Sequence, residues 1–316
     1  MRTFNYQKIC QELLNDLPQK QKEIISRRFG LKEGNRETLE AIGQDFGITR
    51  ERVRQIEEDG LARIKPKLAQ YQKVFQNFNQ YLKRHGGLRK EEILLLDLGG
   101  KKYQAQVYFL LTISENFERF GENEDFYSFW AIDKSFLDSA KNIIDKLFNK
   151  LKEIGKPLSL KETGVSAPYL EISKKILRNS DGLYGLKDWP EINPRGVKDK
   201  AYLVFKQLAR PLHYQEVAKS IPGALTQTVH NELIKDSRFV LVGRGIYALK
   251  EWGYEPGQVK DIVAKILKEN GPLTKEEIIA RVLKQRLVKE STILLNLSNK
   301  KYFLRDSQGR YKVLKI

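Results

Sequence analysis

Two short helical patterns meet at a glycine within residues 38–64, and this arrangement constrains the fold more than any other feature of the chain. Apolar residues recur at helical spacing on both sides of Gly47, namely Leu39, Ile42, Phe46, Ile48, Val53, Ile56 and Ile64. Gly47 suits the end of the first helix, because a residue without a Cβ enters the left-handed region at little cost. Thr38 and Thr49 suit the N-caps of the two helices, and Gly43 is small where the helices would cross. The pattern predicts a helix-turn-helix.

The outer face of the second predicted helix carries side chains that suit base recognition. The residues on this face and its flanks are Arg50, Glu51, Arg52, Arg54, Gln55 and Glu58. Arginine pairs with guanine, glutamate accepts from cytosine N4, and glutamine pairs with adenine. A glutamate among the arginines therefore favours base reading over simple attraction to phosphates. The alternative is a surface helix whose charged side chains only pair with one another, as Arg54 and Glu58 would at their spacing.

Residues 17–65 resemble region four of the sigma-seventy family, and the segments "RRFGL", "TLEAIG" and "TRERVRQIE" carry the resemblance in order and with the right gaps. In that family the domain recognises the minus-35 promoter element and docks on the flap of bacterial RNA polymerase. The resemblance implies that Arg50, Glu51 and Gln55 read bases. It also implies phosphate contacts from the residues Arg27 or Arg28, Thr38, Thr49, Arg52 and Arg54.

The resemblance has limits. Asp59 stands where the family often has a basic residue, and Gly60 replaces a better helix former, so both should weaken contact with the DNA backbone. Only sixteen residues precede Leu17, and nothing downstream resembles the family's promoter-melting region. We therefore expect no promoter melting by this chain alone.

Downstream, the chain repeats with a period of about sixty residues. The segment "GLYGLKDW" at 182–189 matches "GIYALKEW" at 245–252, and "GRYKVLKI" at 309–316 keeps the Gly-x-Tyr. One unit reads as a helix over 197–209, a second helix after Pro211, a third over 226–235, and a hairpin turning at 243–245. Three helices and a glycine-turned hairpin predict a winged helix.

The unit 195–257 resembles the HARE-type helix-turn-helix module, which is known from restriction and chromatin proteins and from the delta subunit of bacterial RNA polymerase. The segments "PLHYQEVA" and "TVHNELIKDSRFVLVGRGIYALKEWG" carry that resemblance. "FYSFWAI" at 126–132 reads as a hairpin strand, not as a base-capturing aromatic run. The predicted fold is mainly α: a helix-turn-helix domain at 1–68, a winged helix at 74–132, and HARE-like winged helices at 133–194, 195–257 and 258–316.

The winged helices offer few candidate contacts. In the unit 195–257 the outward residues of the third helix are His230, Asn231 and Lys235, and Arg244 stands at the wing tip. These side chains suit either DNA or protein contacts, and the sequence leaves that choice open. The aromatic residues Tyr184, Trp189, Tyr247 and Trp252 are more typical of packing than of base stacking.

Charge indicates a polyanionic partner, double-stranded DNA first. The formal charge is +17, of which residues 1–68 hold +3, from 14 basic and 11 acidic residues. Cys10 is the only cysteine, and the three histidines are scattered, so we expect no disulfide, metal or cofactor. No Glu-x-Lys or phosphate-binding glycine loop occurs, which argues against an enzyme. Since we find neither a signal peptide nor a membrane span, we expect a cytoplasmic, nucleoid-associated protein.

Three functions fit these features. The first is a transcription factor that binds minus-35-like DNA and regulates or recruits RNA polymerase. The second is a delta-like polymerase accessory protein whose first domain grips the flap. The third is a nucleoid protein that coats DNA without sequence preference. The sequence names neither target promoters nor the oligomeric state, and it does not separate an activator from a repressor.

Overall fold

The computed structural model describes residues 4–32 and 35–314, and this part of the chain is mainly helical. The described residues form two compact units, which divide between residues 187 and 188. No helix within the described residues is long and apolar enough to cross a membrane.

Four helices and a 3-10 segment form the N-terminal part of the first unit. They are α1 (Tyr6–Leu14), α2 (Gln19–Phe29), α3 (Leu39–Phe46), α4 (Arg50–Ile64) and the 3-10 helix Lys65–Tyr71. Gly30 and Gly47 end α2 and α3 in the left-handed region, with φ values of 67° and 62°. The predicted helix–glycine–helix order over residues 38–64 is confirmed.

A small apolar cluster holds α2, α3 and α4 together. Its buried members are Ile24, Ile42 and Val53. At Gly43 the backbones of α3 and the turn approach so closely that a Cβ would lie 2.7 Å from the Ile48 carbonyl oxygen. The predicted need for a small residue at this crossing is therefore confirmed by the geometry.

The next segment alternates helices with short strands. It contains α5 (Gln72–Arg84), β1 (Leu88–Lys90), α6 (Glu91–Gly99), α7 (Gln104–Ile113), β2 (Glu118–Phe120) and β3 (Phe129–Ala131). The three strands form an antiparallel sheet in the order β1-β3-β2. The aromatic run 126–132 thus supplies the central strand of a sheet.

The N-terminal helices and this segment share one hydrophobic core. The cluster runs through α1, α2, the end of α4, and α5 to α7, and it includes Leu13, Phe29, Phe78 and Phe109. The Phe29 and Phe109 rings meet edge to face with centroids 5.0 Å apart. The domain boundary expected at residue 68 therefore falls within a common core, because α7 packs its apolar side on α1 and α2.

The last segment of the first unit follows a similar order with two strands in place of three. It contains α8 (Ser135–Ile154), α9 (Leu160–Thr163), α10 (Ala167–Ile172), β4 (Ile176–Arg178) and β5 (Tyr184–Leu186). A single bridge joins Leu158 to Tyr184. The helix α10 lies against β1, where the Arg89 guanidinium donates to the Glu171 carboxylate at 2.8 Å.

The second unit contains two segments of this kind. The first has α11 (Gly196–Leu208), β6 (Leu212–His213), α12 (Tyr214–Lys219), α13 (Thr226–Lys235), β7 (Phe239–Gly243), β8 (Ile246–Leu249) and the 3-10 helix Lys250–Trp252. The second has α14 (Val259–Asn270), α15 (Lys275–Leu283), α16 (Glu290–Leu297), β9 (Phe303–Arg305) and β10 (Tyr311–Val313). The strand order β6-β8-β7 repeats that of β1-β3-β2.

The two segments of the second unit contact each other through main-chain hydrogen bonds. The Leu287 amide donates to the Val242 carbonyl at 2.7 Å. The Arg286 side chain, 3% exposed, donates to the carbonyls of Glu255 and Gly257 at 2.6 and 2.9 Å. A buried arginine with several acceptors stiffens this junction.

Candidate nucleic-acid interface

Two threonines set the start of each helix in the helix-turn-helix. The Thr38 hydroxyl accepts from the Ala41 amide at 3.1 Å, and the Thr49 hydroxyl accepts from the Arg52 amide at 3.2 Å. Both predicted N-caps are therefore confirmed. The caps fix where α4 begins, and so which side chains stand in its first turn. Their additional contact with phosphates stays a prediction.

The first turns of α4 present an exposed polar surface. Arg50, Glu51, Arg52 and Gln55 are all exposed, while Val53 is fully buried. The Arg52 side chain donates to the side-chain oxygen Oε1 of Gln55 at 3.1 Å. Within the described chain, the Arg50 side chain has no hydrogen bond or ion pair. Its forked guanidinium is therefore available to a partner.

Arg54 pairs with glutamates on its own helix. It donates to Glu51 at 2.9 and 2.6 Å and also bonds Glu58. The hydrogen bond from Arg54 lowers the pKa of Glu51. These are the pairs that the surface-helix alternative predicts. All three side chains are well exposed, so water screens the pairs and they exchange readily with other partners.

Arg27 and Arg28 tie α2 to the chain ahead of α3. The Arg27 guanidinium forks onto the Glu37 carboxylate at 2.8 and 2.5 Å and also pairs with Asp45. Arg28 donates to the Glu37 carbonyl at 3.0 Å and lies 3.7 Å from Glu57. A phosphate contact by Arg27 would require these ion pairs to open. No periodic pattern marks this cluster, because Glu37 and Asp45 lie ten and eighteen residues after Arg27.

A shallow depression lies at the turn between α3 and α4. It is lined by Gln44 together with Gly47, Thr49 and Arg52. Gln44 is exposed near the end of α3, beside the start of α4, and the sequence pattern did not single it out.

The candidate contacts of the second unit divide into two pairs. His230 is half-buried and stacks on Tyr214 with centroids 4.3 Å apart, and Asn231 accepts from Gln227 at 3.0 Å. This placement is typical of structural side chains. Lys235 and Arg244 are exposed, and neither has a hydrogen bond or ion pair among the residues described. These two remain available to a polyanion.

Two of the aromatic residues expected to pack do so. Tyr247 is buried in the core of its segment, and Trp252 is partly buried against the same core. The described residues contain no group of three or more side chains that would hold a metal ion.

A capped helix-turn-helix with exposed arginine, glutamate and glutamine at the start of its second helix defines the class of DNA-binding helix-turn-helix domains. Residues 13–65 match the family model described as Sigma-70, region 4. This match confirms the resemblance expected for residues 17–65. It covers about a sixth of the chain.

Two curated relatives are similar to the same stretch. The RNA polymerase sigma factor SigA of Clostridium acetobutylicum is 41% identical over 54 residues, which is 17% of this chain and 14% of the relative. The RNA polymerase sigma factor SigA of a Bacillus species is 40% identical over 55 residues, 17% of this chain and 15% of the relative. The chain thus spans about a seventh of the length of these relatives.

Proposed function

We propose that this protein is a bacterial transcription factor that binds minus-35-like DNA through α4 and regulates or recruits RNA polymerase, without melting the promoter itself. The observation that carries the proposal is the match of residues 13–65 to region 4, together with the exposed, unpaired Arg50 at the start of α4. The similar sigma factors are named for RNA polymerase. We assign no catalytic activity to the chain.

Within this proposal Arg50, Glu51 and Gln55 read base edges in the major groove. Glu51 and Gln55 lie 3.5 Å apart, so they reach adjacent positions. The exposed Arg54 pairs open at little cost when phosphate replaces the glutamates. Arg52, Arg54, Thr38, Thr49 and Arg28 contact phosphates. Arg27 acts chiefly by holding the chain ahead of α3, since two carboxylates already surround it.

We further propose that the four downstream segments are winged helices, with 195–257 of the HARE type. The shared order of elements supports this reading, because in each segment the strand or bridge residue after the first helix pairs with the last strand. Their third helices are α7, α10, α13 and α16. The first two are covered within their own unit, α7 by α1 and α2 and α10 by β1. Any DNA contact from the array therefore falls to the second unit.

Competition binding with the full chain tests the base-reading role. At fixed salt, Arg50→Ala should cost about 1–3 kcal/mol on a duplex containing TTGACA and much less on a scrambled duplex, because only the first offers the guanine. Arg63→Ala is the matched control. It removes the same charge from the same helix, but near the end opposite the turn, where Arg63 pairs with Asp59.

Two outcomes would overturn the assignment. Equal losses on both duplexes for Arg50→Ala would make it a phosphate contact. Equal losses for Arg50→Ala and Arg63→Ala would mean that α4 contributes only its charge.

A specific observation favours the second candidate, a delta-like polymerase accessory protein. Leu225, Ile234 and Leu241 on α13 and β7 are 73%, 62% and 52% exposed, which suits a protein contact better than a phosphate backbone. Copurification with polymerase without any preferred DNA sequence would support it. Binding of DNA without sequence preference and without polymerase would support the third candidate, a nucleoid protein. The net charge of +17 would then provide most of the attraction to DNA.

A further inference from the structure

A groove opens between α14 and β10 in the last segment of the second unit. It has a volume of about 550 Å³. Its lining combines three lysines with one ring and aliphatic surface, and the residues that an occupant can reach include Lys260, Lys268, Lys312, Tyr302, Ala264 and Leu314. Each of these six is exposed or half-buried. The one carboxylate in the lining, that of Asp261, accepts from the Gln258 amide at 2.8 Å.

The preceding segment, α11 to β8, contains the same place in its fold. In the last segment the Leu314 amide donates to the Tyr302 carbonyl at 2.9 Å, just after the final strand. In the preceding segment the Lys250 amide donates to the Arg238 carbonyl at 2.8 Å, again just after the final strand. A Val-Lys-Asp sequence lies at the start of both α11 and α14. The two segments can therefore be compared position by position.

In the preceding segment the chain itself occupies this place. The Tyr202 ring is buried there, and the Tyr202 hydroxyl donates to the Glu251 carboxylate at 3.0 Å. The Lys206 ammonium pairs with the same carboxylate at 2.9 Å. Trp252, the next residue, packs edge to face against Phe205, with ring centroids 6.3 Å apart. A glutamate followed by an aromatic residue is thus the occupant that this place accepts.

The last segment keeps the lysine of this arrangement but not its partners. Lys268 stands at the position of Lys206, while Ala264 stands at the position of Tyr202. The sequence has Lys315 where the preceding segment has its glutamate. Among the described residues, the three groove lysines have no side-chain hydrogen bond or ion pair. The groove of about 550 Å³ compares with a depression of about 370 Å³ left in the preceding segment, so it offers both free cations and more space.

Ring geometry argues against single-stranded nucleic acid in this groove. Sites for single strands combine a cationic track with aromatic stacking platforms. Tyr302 is half-buried, and the Lys260 Nζ atom lies over its ring at 5.0 Å from the centroid. Phe303, the other ring among the described lining residues, is 2% exposed. The groove has the charge for a single strand but no row of open rings.

We propose that this groove binds a peptide segment of a partner protein in which an acidic residue precedes a large apolar residue. The carboxylate lies beside Lys268, as the Glu251 carboxylate lies beside its lysine in the preceding segment. The apolar side chain enters the space beside Ala264. Lys260 and Lys312 attract further acidic residues of the same peptide. The site rests on the comparison of the two segments and does not depend on DNA binding by α4.

Peptide display on the full-length protein tests this proposal. Phage carrying random peptides of about eight residues, a length of about 26 Å when extended, are selected on the wild-type chain. They are counter-screened on Ala264→Tyr, which places a ring where the preceding segment has one. An enriched sequence is then made as a labelled peptide for fluorescence anisotropy. A second copy carries amides in place of its carboxylates.

We expect the enriched peptides to share an acidic residue followed by a large apolar residue. Ala264→Tyr should weaken the labelled peptide at least tenfold, because the ring takes up the groove. Lys268→Ala should weaken it by up to about fivefold, as is typical of an exposed ion pair, and should change the amide copy less. The control Lys284→Ala removes an exposed lysine of the same segment outside the groove and should leave binding unchanged.

Lys268→Glu keeps the test decisive if Ala264→Tyr lowers the thermal midpoint, because it reverses an exposed charge without entering the core. It should weaken the peptide more than Lys268→Ala does. Selection that enriches no acidic peptide, or binding that survives both Ala264→Tyr and Lys268→Glu, would overturn the proposal. Equal affinity of the groove for labelled oligothymidine would also overturn it, since the groove would then belong to single-stranded nucleic acid.

Discussion

The close crossing at Gly43 makes a sharp prediction about the helix-turn-helix. In Gly43→Ala, the new Cβ would lie 2.7 Å from the Ile48 carbonyl oxygen and 3.4 Å from the Arg50 amide nitrogen. Both atoms are backbone, so the turn must open to admit the methyl group. Alanine would favour the helix by about 1 kcal/mol, while overpacking costs about 1–3 kcal/mol. We expect a net loss of up to about 2 kcal/mol, concentrated in α3 and the start of α4.

Gly60→Ala is the matched control, because it makes the same change inside a helix of the same domain. There the new Cβ would meet the Cδ1 atom of Ile25 at 2.7 Å, and this flexible methyl group can move aside. The helix preference of about 1 kcal/mol for alanine should offset that shift, so stability should be unchanged or slightly higher. The low helix preference of Gly60 is therefore accompanied by close packing against Ile25, which leaves little room for a side chain at this position.

Amide hydrogen exchange on the full chain measures these changes locally, since helices open with their own free energies. For Gly43→Ala, amides of α3 should exchange up to about thirty times faster, which corresponds to about 2 kcal/mol. Affinity for a minus-35-like duplex should fall with it, because the start of α4 moves. Wild-type protection of α3 in Gly43→Ala, or an equal loss of protection in Gly60→Ala, would show that the close crossing at Gly43 does not limit the size of the side chain there.

Two further predictions concern charge. The hydrogen bond from Arg27 holds the pKa of Glu37 below its usual range. The stability that this hydrogen bond contributes is fully present above the unfolded pKa of Glu37. It is lost as the pH falls through the lowered pKa of the folded state. The protection of α3 amides from exchange, corrected for the intrinsic rate, should therefore drop on acidification in the wild type and change less in Glu37→Gln. Identical pH profiles would exclude a contribution from the Arg27–Glu37 pair. The double change Lys235→Ala with Arg244→Ala should reduce the salt slope of duplex binding by up to about 1.8, since each phosphate contact contributes about 0.9. It should leave the ratio of cognate to scrambled affinity unchanged. An unchanged slope would show that the second unit does not contact DNA through these residues.

The helix-turn-helix was predictable because its signals are local. Thr38, Gly47 and Thr49 act on backbone groups within a few residues, and the apolar spacing follows the helix period. The repeat of Gly-x-Tyr likewise indicated hairpins, since a turn glycine and a packed tyrosine recur at fixed spacing. Gly245, with φ of 70°, turns the β7–β8 hairpin as the sequence suggested.

The packing between elements was not predictable in the same way. Phe29 and Phe109 are eighty residues apart, and nothing in the period of either helix shows that α7 covers α2. The domain boundary that the sequence predicts at residue 68 therefore lies within a shared core. The pairing of Arg27 with Glu37 and Asp45 was missed for the same reason, because ion pairs that bridge two helices and a loop leave no repeating pattern.

Selection of duplexes by the full-length protein from a random DNA pool tests base reading by α4 most directly, because it presumes no target. We expect an enriched hexamer similar to the minus-35 element TTGACA, with one guanine position relaxed when Arg50→Ala replaces the wild type. A pool that binds tightly at low salt and loses affinity as salt rises, yet enriches no sequence, would contradict base reading, because α4 would then contact DNA without distinguishing its sequence.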